Sequence, residues 1–337
     1  MLVNNISYFM QLAIDSAWRY QFLTYPNPAV GATVVKDNQV LAVGCHQKVG
    51  MPHAEVEALK LAYLTKYPNS KLKNLVNSND IHNFLIENHN NLFNDCSIYV
   101  TLEPCNHIGK TPACASLLEA VSIKKVYIAT LDPNSVATGG YQRLKNVGID
   151  VEVGLLKDKA DDLLYPFTQW QKSNFLFFKI AMREDGSITG GYITTKDSLT
   201  LVHKIREKLD LLVIGGETVR VDRPTLDARF TDTNISPNIL IYSKQKEFDK
   251  TIPLFNISNR DVTISNSLDL ISNNNFIMIE GGFNLLETLQ KLSNMIMLFI
   301  SHKVKKDNLF DINQLGYKKV HSYFLNKFDE IIFLRKI

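Results

Sequence analysis

Long apolar runs are missing from this chain. No stretch of its 337 residues approaches the roughly 20 consecutive apolar positions a bilayer-spanning helix needs. A charge of one sign is missing too. The 37 basic and 34 acidic residues nearly cancel, for a net charge of +3, so composition points to neither a nucleic-acid nor a membrane partner. Cysteine is scarce, and all four (Cys45, Cys96, Cys105, Cys114) fall in the first 114 residues. So few thiols in a long chain make a poor disulfide framework, and any thiolate chemistry must belong to the N-terminal half. The opening MLVNNISYFMQLAIDSAWRY carries no basic segment followed by an apolar one. It reads as an amphipathic helix with Tyr8, Leu12 and Asp15 to Ala17 at helical spacings, not as a signal peptide, and a cytoplasmic protein is expected. Internal repeats are also lacking.

What remains is an ordinary soluble composition, 45% hydrophobic and 21% charged, in a chain long enough for about two domains. Residues 29–44 read as a hairpin around a Lys-Asp-Asn turn, and 53–65 as a helix. Nine asparagines crowd the stretch from Asn69 to Asn94. We read 66–95 as a surface insertion with one short helix near Ile81 to Ile86, not as a domain. SIYVTLEPC (97–105) is a buried strand entering a loop. TPACASLLEAV starts a helix, with Thr111 as N-cap and Pro112 at the first helical position. Further strands are expected at 124–134 and 148–154. After a charged, amphipathic connection at 157–172 the pattern restarts. Strands lie at 175–182 and in NILIYSK and DEIIFLRKI, a helix at 198–209, and two strands (LDLLVIGGETV, FIMIEGGFNLLETL) run through Gly-Gly into helices. Strand–helix alternation in both halves predicts an α/β fold twice over.

HAEVEAL (53–59) and TLEPCNHIGKTPAC (101–114) carry the chemistry. His53, Cys105 and Cys114 offer one imidazole and two thiolates, three good zinc ligands. A fourth position is left for water, as in catalytic rather than structural sites. Cys114, just inside a helix start, lies where partial positive charge favours a thiolate. Glu55 then has work to do, since zinc acidifies water and a neighbouring carboxylate can pass its proton to a leaving amine. His-x-Glu followed by Pro-Cys and a second Cys is the signature of zinc nucleobase deaminases. The bland alternative, a helix with an incidental histidine and two buried free cysteines, explains HAE alone but not the whole set. Cys96 is expected to pack as a small hydrophobe.

Eight residues separate Cys105 from Cys114, not the two of the nucleobase-deaminase signature. With YPNPAVG (25–31), HAEVEAL, TLEPCNHIGKTPAC and LDPN (131–134), the chain resembles the bifunctional riboflavin-biosynthesis family of pyrimidine deaminase and 5-amino-6-(5-phosphoribosylamino)uracil reductase. The likeness covers about 5–155 and continues through FFKIAMREDGSI, ITTKDS, LVIGGETVRVDRPTLDAR and IEGGFNLLETL. It implies a cytidine-deaminase-like α/β/α domain over 1–156 and a dihydrofolate-reductase-like α/β domain over 171–337. It implies one zinc per chain, and a substrate that is 2,5-diamino-6-ribosylamino-4(3H)-pyrimidinone 5′-phosphate. Asn27, His46, Asp132 and Asn134 would contact the pyrimidine or ribose, and His107 and Lys110 the phosphate, for which a Lys and a His beside a helix start are suited. In the second half, reduction with NADPH would deliver hydride to C1′ of the ring-opened ribose. Ala181, Tyr192, Thr218, Asp222 and Ser243 would meet the cofactor, and Arg206, Leu226, Arg229 and Glu280 the substrate. Gly281 and Gly282 would let the backbone approach the pyrophosphate. The resemblance also implies a homodimer or tetramer.

The chain departs from the family pattern at Arg183, which replaces a serine, at Tyr192, which replaces a tryptophan, in a shortened loop before it and in the short region after Leu289. The insertion 66–95 is a further departure, expected to lie away from the ligands. Three other readings stand beside the two-activity enzyme: a deaminase whose second domain has lost reduction, a nucleic-acid deaminase, and a non-enzymatic zinc scaffold. The balanced charge opposes the nucleic-acid deaminase, and the want of a fourth protein ligand opposes the scaffold.

Overall fold

The computed structural model describes residues 5–337 apart from 108, 110, 135–137, 190, 192, 234 and 305–308. The chain divides into two compact units, Met1–Thr168 and Gln169–Ile337. Among the described residues no helix is long and apolar enough to cross a membrane.

Unit 1 runs α1 (Asn5–Trp18), β1 (Gly31–Lys36), β2 (Gln39–Cys45), α2 (Ala54–Lys66), α3 (Ser78–Asn88), β3 (Cys96–Val100), α4 (Cys114–Ala120), β4 (Lys125–Ile128), α5 (Gly140–Asn146), β5 (Asp150–Val153) and α6 (Lys157–Trp170). The sheet order is β2-β1-β3-β4-β5. The β1–β2 hairpin turns through Asp37 and Asn38, both at positive φ, the conformation a tight hairpin connection favours and Asp and Asn tolerate. β3, β4 and β5 are parallel, as strand–helix alternation requires. α2 lies close on β2 because Gly44 has no side chain: a Cβ there would sit 2.3 Å from the Ala58 nitrogen. The first helix forms as expected, but its core face is Phe9, Met10, Ala13, Ile14, Ala17 and Trp18, while Tyr8 is exposed. Cys96 is fully buried in the core, as a small hydrophobe would be.

The insertion differs from its surface reading. Asn77 caps α3 by accepting hydrogen bonds from the Asn79 and Asp80 backbone nitrogens. Leu72, Ile81, Phe84, Leu85, Leu92 and Phe93 are all buried in the main core. α3 packs against α2 and α4, and buried His82 lies against the Ala113 backbone, one residue from Cys114. Nine asparagines between Asn69 and Asn94 masked the apolar residues among them, so the segment enlarges the core instead of decorating it.

Unit 2 runs β6 (Phe175–Arg183), α7 (Lys196–Arg206), β7 (Leu211–Gly215), α8 (Gly216–Asp222), β8 (Asn238–Tyr242), β9 (Val262–Ser265), β10 (Phe276–Glu280), α9 (Phe283–Leu289), β11 (Met295–Ser301), β12 (Tyr317–Phe324) and β13 (Asp329–Lys336). The sheet order is β12-β13-β11-β6-β10-β7-β8-β9, parallel from β11 to β9, with β13 antiparallel to both its neighbours. FIMIE of β10 is buried throughout, as a central parallel strand covered on both faces must be. α7 is anchored at its start by a residue far along the chain: buried Asp329 accepts from the Thr195 nitrogen (2.7 Å), Thr195 Oγ1 (2.6 Å) and Ser198 Oγ (2.6 Å). That carboxylate satisfies orphan donors of the first turn and fixes the helix that ends in Arg206.

Candidate functional site

In unit 1, three candidate ligands separated by fifty residues of chain meet. His53 ends the loop before α2, Cys105 lies in the loop after β3, and Cys114 is the first residue of α4. Their ligand atoms all lie within 4.8 Å of one another. His53 Nδ1 is 3.6 Å from Cys105 Sγ and 3.4 Å from Cys114 Sγ. A tetrahedral zinc with bonds of about 2.05 Å to nitrogen and about 2.3 Å to sulfur sets N···S edges of roughly 3.6 Å, so the donor set fits that ion in kind and in spacing. The Cys105 thiol is held low, to about 4, by its hydrogen bond with Cys114 and by His53 against the cost of burial, while the Cys114 thiol is pushed up by the same bond and by burial. The Cys114 backbone nitrogen also donates to Cys105 Sγ (3.4 Å).

The other imidazole nitrogen is spoken for. His53 Nε2 is 3.2 Å from Thr111 Oγ1, so a proton on Nε2 leaves Nδ1 free to ligate. This corrects the cap expected from sequence. α4 begins at Cys114 with Ala113 as its N-cap residue, two positions beyond Thr111, whose hydroxyl serves the histidine. Glu55, on the first turn of α2, is 3% exposed. Burial and the charge on Cys105 push its carboxyl up to about 7.

Around this centre, His46 is buried. Its Nδ1 is 3.0 Å from the Pro52 carbonyl and its Nε2 is 3.1 Å from Asn27 Nδ2. One assignment satisfies both contacts: Nδ1–H donates to Pro52 and Nε2 accepts from Asn27. Burial favours the same neutral ring, lowering its pKa to about 4. Asp132 and Asn134 are half-buried, and the Asn134 nitrogen donates to Asp132 Oδ1 (2.8 Å). His107 is exposed, and Lys110 lies outside the described residues. Sequence reasoning missed Glu103. Its buried carboxylate accepts from the backbone nitrogens of Asp132 (3.2 Å), Gly139 (3.0 Å) and Tyr141 (2.9 Å), tying the loop that bears Asp132 and Asn134 to the cysteine loop. An acid immediately before Pro-Cys at a strand end was the available signal.

In unit 2, a cavity of about 500 Å³ opens beside the carboxyl ends of β7 and β10, where parallel sheets bind ligands. Ala181, Thr218, Asp222, Gly281 and Gly282 line it, as do Arg206, Leu226 and Glu280. Arg229 and Ser243 are not among its lining residues. Arg229 is 53% exposed and holds Asp227 (3.1 Å), and Ser243 follows β8. Tyr192 lies outside the described residues. Arg183 is not in the wall either. Its guanidinium donates to the Thr189 carbonyl (2.6 Å) and braces the following loop. Lys179, which sequence reasoning also missed, lines the cavity beside the Arg206–Glu280 pair, and burial lowers its pKa. Burial opposes charge on Glu280 as well, but Arg206 and then Lys179 outweigh it and hold the carboxyl below its usual range.

Residues 3–130 match the family described as "Cytidine and deoxycytidylate deaminase zinc-binding region". Riboflavin biosynthesis protein RibD of Aquifex aeolicus is 31% identical over 306 residues, 87% of this chain and 78% of that protein. The Escherichia coli protein of the same name is 33% identical over 233 residues, 67% of this chain and 56% of its own length. A solved structure of a diaminohydroxyphosphoribosylaminopyrimidine deaminase/5-amino-6-(5-phosphoribosylamino)uracil reductase from Thermotoga maritima superposes with a TM-score of 0.64 at 26% identity and covers 99% of each chain.

Proposed function

The chain belongs to the family of bifunctional riboflavin-biosynthesis deaminase/reductases, and from that premise we propose how its residues divide the two reactions. Unit 1 hydrolyses the 2-amino group of 2,5-diamino-6-ribosylamino-4(3H)-pyrimidinone 5′-phosphate, releasing ammonia. His53, Cys105 and Cys114 hold the zinc, and zinc bound there supplies the Lewis acidity that lets water lose a proton near neutral pH. Glu55 takes that proton and returns it to the departing amine. Burial of Glu55 makes its carboxylate a better proton acceptor, which favours the first transfer. His46, neutral and fixed by Pro52, orients the Asn27 amide toward the pyrimidine or ribose. Asp132 and Asn134 meet the same end of the substrate from a loop that Glu103 holds, and His107 and Lys110 bind the phosphate.

Unit 2 reduces the deaminated product with NADPH. Ala181, Tyr192, Thr218, Asp222, Ser243, Gly281 and Gly282 meet the cofactor, and Arg206, Leu226, Arg229 and Glu280 the substrate. Hydride delivered at C1′ must be matched by a proton, and Lys179, a buried amine in the cavity wall whose pKa burial lowers, can supply one. The reading of a decayed second domain rests on Arg183 and Tyr192. Arg183 stays outside the cavity wall and leaves the cavity open. Assembly as a homodimer or tetramer is part of the same proposal, and light scattering tests it.

The observation that carries the function is the meeting of His53, Cys105 and Cys114 beside buried Glu55. Incubation with the diaminopyrimidine phosphate, without and with NADPH, tests both halves. The product mass should show amino replaced by oxygen in the first case and a further gain of two hydrogens in the second. Substrate unchanged in mass refutes the deaminase, and a product that stops at the deaminated stage with NADPH present refutes the reductase.

A further inference from the structure

We propose that Arg260 is a positioning residue for the reduction: it clasps the backbone on both sides of Leu226 and holds that residue in the cavity wall of unit 2 in the conformation that receives the substrate. The proposal rests on the reading of unit 2 as the reductase. Residues 223–228 follow α8 with no helix or strand. Pro224 and Leu226 line the cavity, and Arg260 is not among the lining residues. Four successive carbonyls of this stretch take their donors from distant parts of the chain. Pro224 O accepts from the Leu254 nitrogen (3.1 Å). Arg260 Nη2 donates to Thr225 O (2.7 Å), and Arg260 Nη1 donates to Leu226 O (2.7 Å). Asp227 O accepts from Nη1 of Arg206 (3.4 Å), the arginine already paired with Glu280 in the cavity wall. Arg260 Nη2 also donates to the Leu254 carbonyl (2.6 Å), so one guanidinium ties the wall to the turn at Pro253–Asn256.

Leu226 needs holding. Its φ is 55°, in the left-handed region, where the Cβ of a leucine crowds the following carbonyl. Such a conformation persists only where its surroundings over-determine it, and it gathers at ligand-binding walls. The carbonyls before and after the strained Cα are bound by one planar fork, which fixes both peptide planes at once. The clasp is itself anchored. Asp261, next along the chain, donates from its nitrogen to Asn238 Oδ1 (2.9 Å) and accepts from the Ile239 nitrogen (2.8 Å), which pins Arg260 beside the start of β8. Burial lowers the Arg260 pKa to about 10 and Asp227 opposes the shift, so the guanidinium stays charged at neutral pH and its bonds belong to the stronger, charge-assisted kind. Without it three carbonyls lose their donor, and Leu226 spends part of its time in the ordinary backbone regions, with its side chain out of place.

The test uses the full chain. The KM for the deaminated substrate, kcat and the NADPH dissociation constant are measured for wild type, Arg260→Met and Arg260→Lys. A left-handed leucine without support is disfavoured by roughly five- to 150-fold. Apparent affinity falls with the fraction of molecules whose wall is in place, so Arg260→Met should raise KM by up to that factor, with kcat and NADPH binding kept within about twofold. Arg260→Lys keeps the charge but cannot span the same carbonyls, and should fall between. In the Leu226→Gly background, where positive φ carries no steric cost, the increment from Arg260→Met should shrink several-fold. If Arg260→Met fails to fold, the same split between KM and kcat read in Arg260→Lys decides. An unchanged KM overturns the proposal. So does a loss of kcat or NADPH affinity equal to the rise in KM, which makes Arg260 a structural residue only, or an undiminished increment in the glycine background, which moves its action away from Leu226. A wild type that does not reduce the deaminated compound with NADPH defeats the reductase reading and this proposal together. That result shows before any substitution, whereas the others leave the reductase reading standing.

Discussion

Replacing Glu280 by Gln should damage unit 2 well beyond the loss of one contact. Arg206 donates to both carboxylate oxygens, Nε to Oε1 at 3.0 Å and Nη2 to Oε2 at 3.0 Å, and each side chain is 11% exposed. Lys179 adds a second buried positive charge to the same carboxylate. The amide keeps the shape and loses the charge, leaving two cations facing each other in a poorly solvated wall. Breaking one side of a buried pair costs about 3–5 kcal/mol. In a unit of this size each kcal/mol moves the midpoint by roughly 2–4 °C, so its calorimetric transition should fall by roughly 6–20 °C at pH 7. The sign with pH follows from the lowered carboxyl. The stabilisation is complete above the free-carboxyl pKa of 4.5 and is lost as pH falls through the lower folded value, so wild type and variant should converge on acidification. Arg206→Met combined with Glu280→Gln should be less destabilised than the sum of the single changes, since the worst unpaired charge is gone. A midpoint shift under 2 °C for Glu280→Gln, or a gap that widens in acid, would refute the reasoning.

Cys114→Ala should lose its zinc by elemental analysis. Glu55→Gln should keep it while ammonia release drops at least ~10²-fold, with NADPH-dependent reduction of the deaminated compound intact; full metal retention in the first or near-normal release in the second would count against the site. Thr111→Val frees His53 Nε2 and should weaken zinc by roughly 10–100-fold in a chelator competition, whereas an unchanged affinity would make the 3.2 Å contact incidental. Arg229→Ala should raise the KM for the deaminated substrate by about ten- to a hundredfold with NADPH binding intact; a selective loss of NADPH affinity would mean the two ligands are assigned the wrong way round.

Some of this was decided by local sequence. Helices, strands and their alternation follow from hydrophobic period and turn chemistry, which act over a few residues, so the hairpin through Asp37 and Asn38 and the run from FIMIE into Gly-Gly were legible. His53, Glu55, Cys105 and Cys114 were legible for another reason. Zinc chemistry admits few residue types, and imidazole, carboxylate and two thiols in that order have few other uses. What sequence left open depends on partners distant along the chain. Asn-rich composition hid the core stripe of α3, because burial depends on what a face meets and not on how often asparagine recurs. Thr111 looked like a cap until His53, fifty-eight residues earlier, came within reach of its hydroxyl. Glu103 and Asp329 bind backbone nitrogens that no local pattern could connect to them. Side-chain type sets what a group can do, but hydrogen bonding, desolvation and charge pairing act over a few ångströms of space, and only the tertiary structure determines which groups share them.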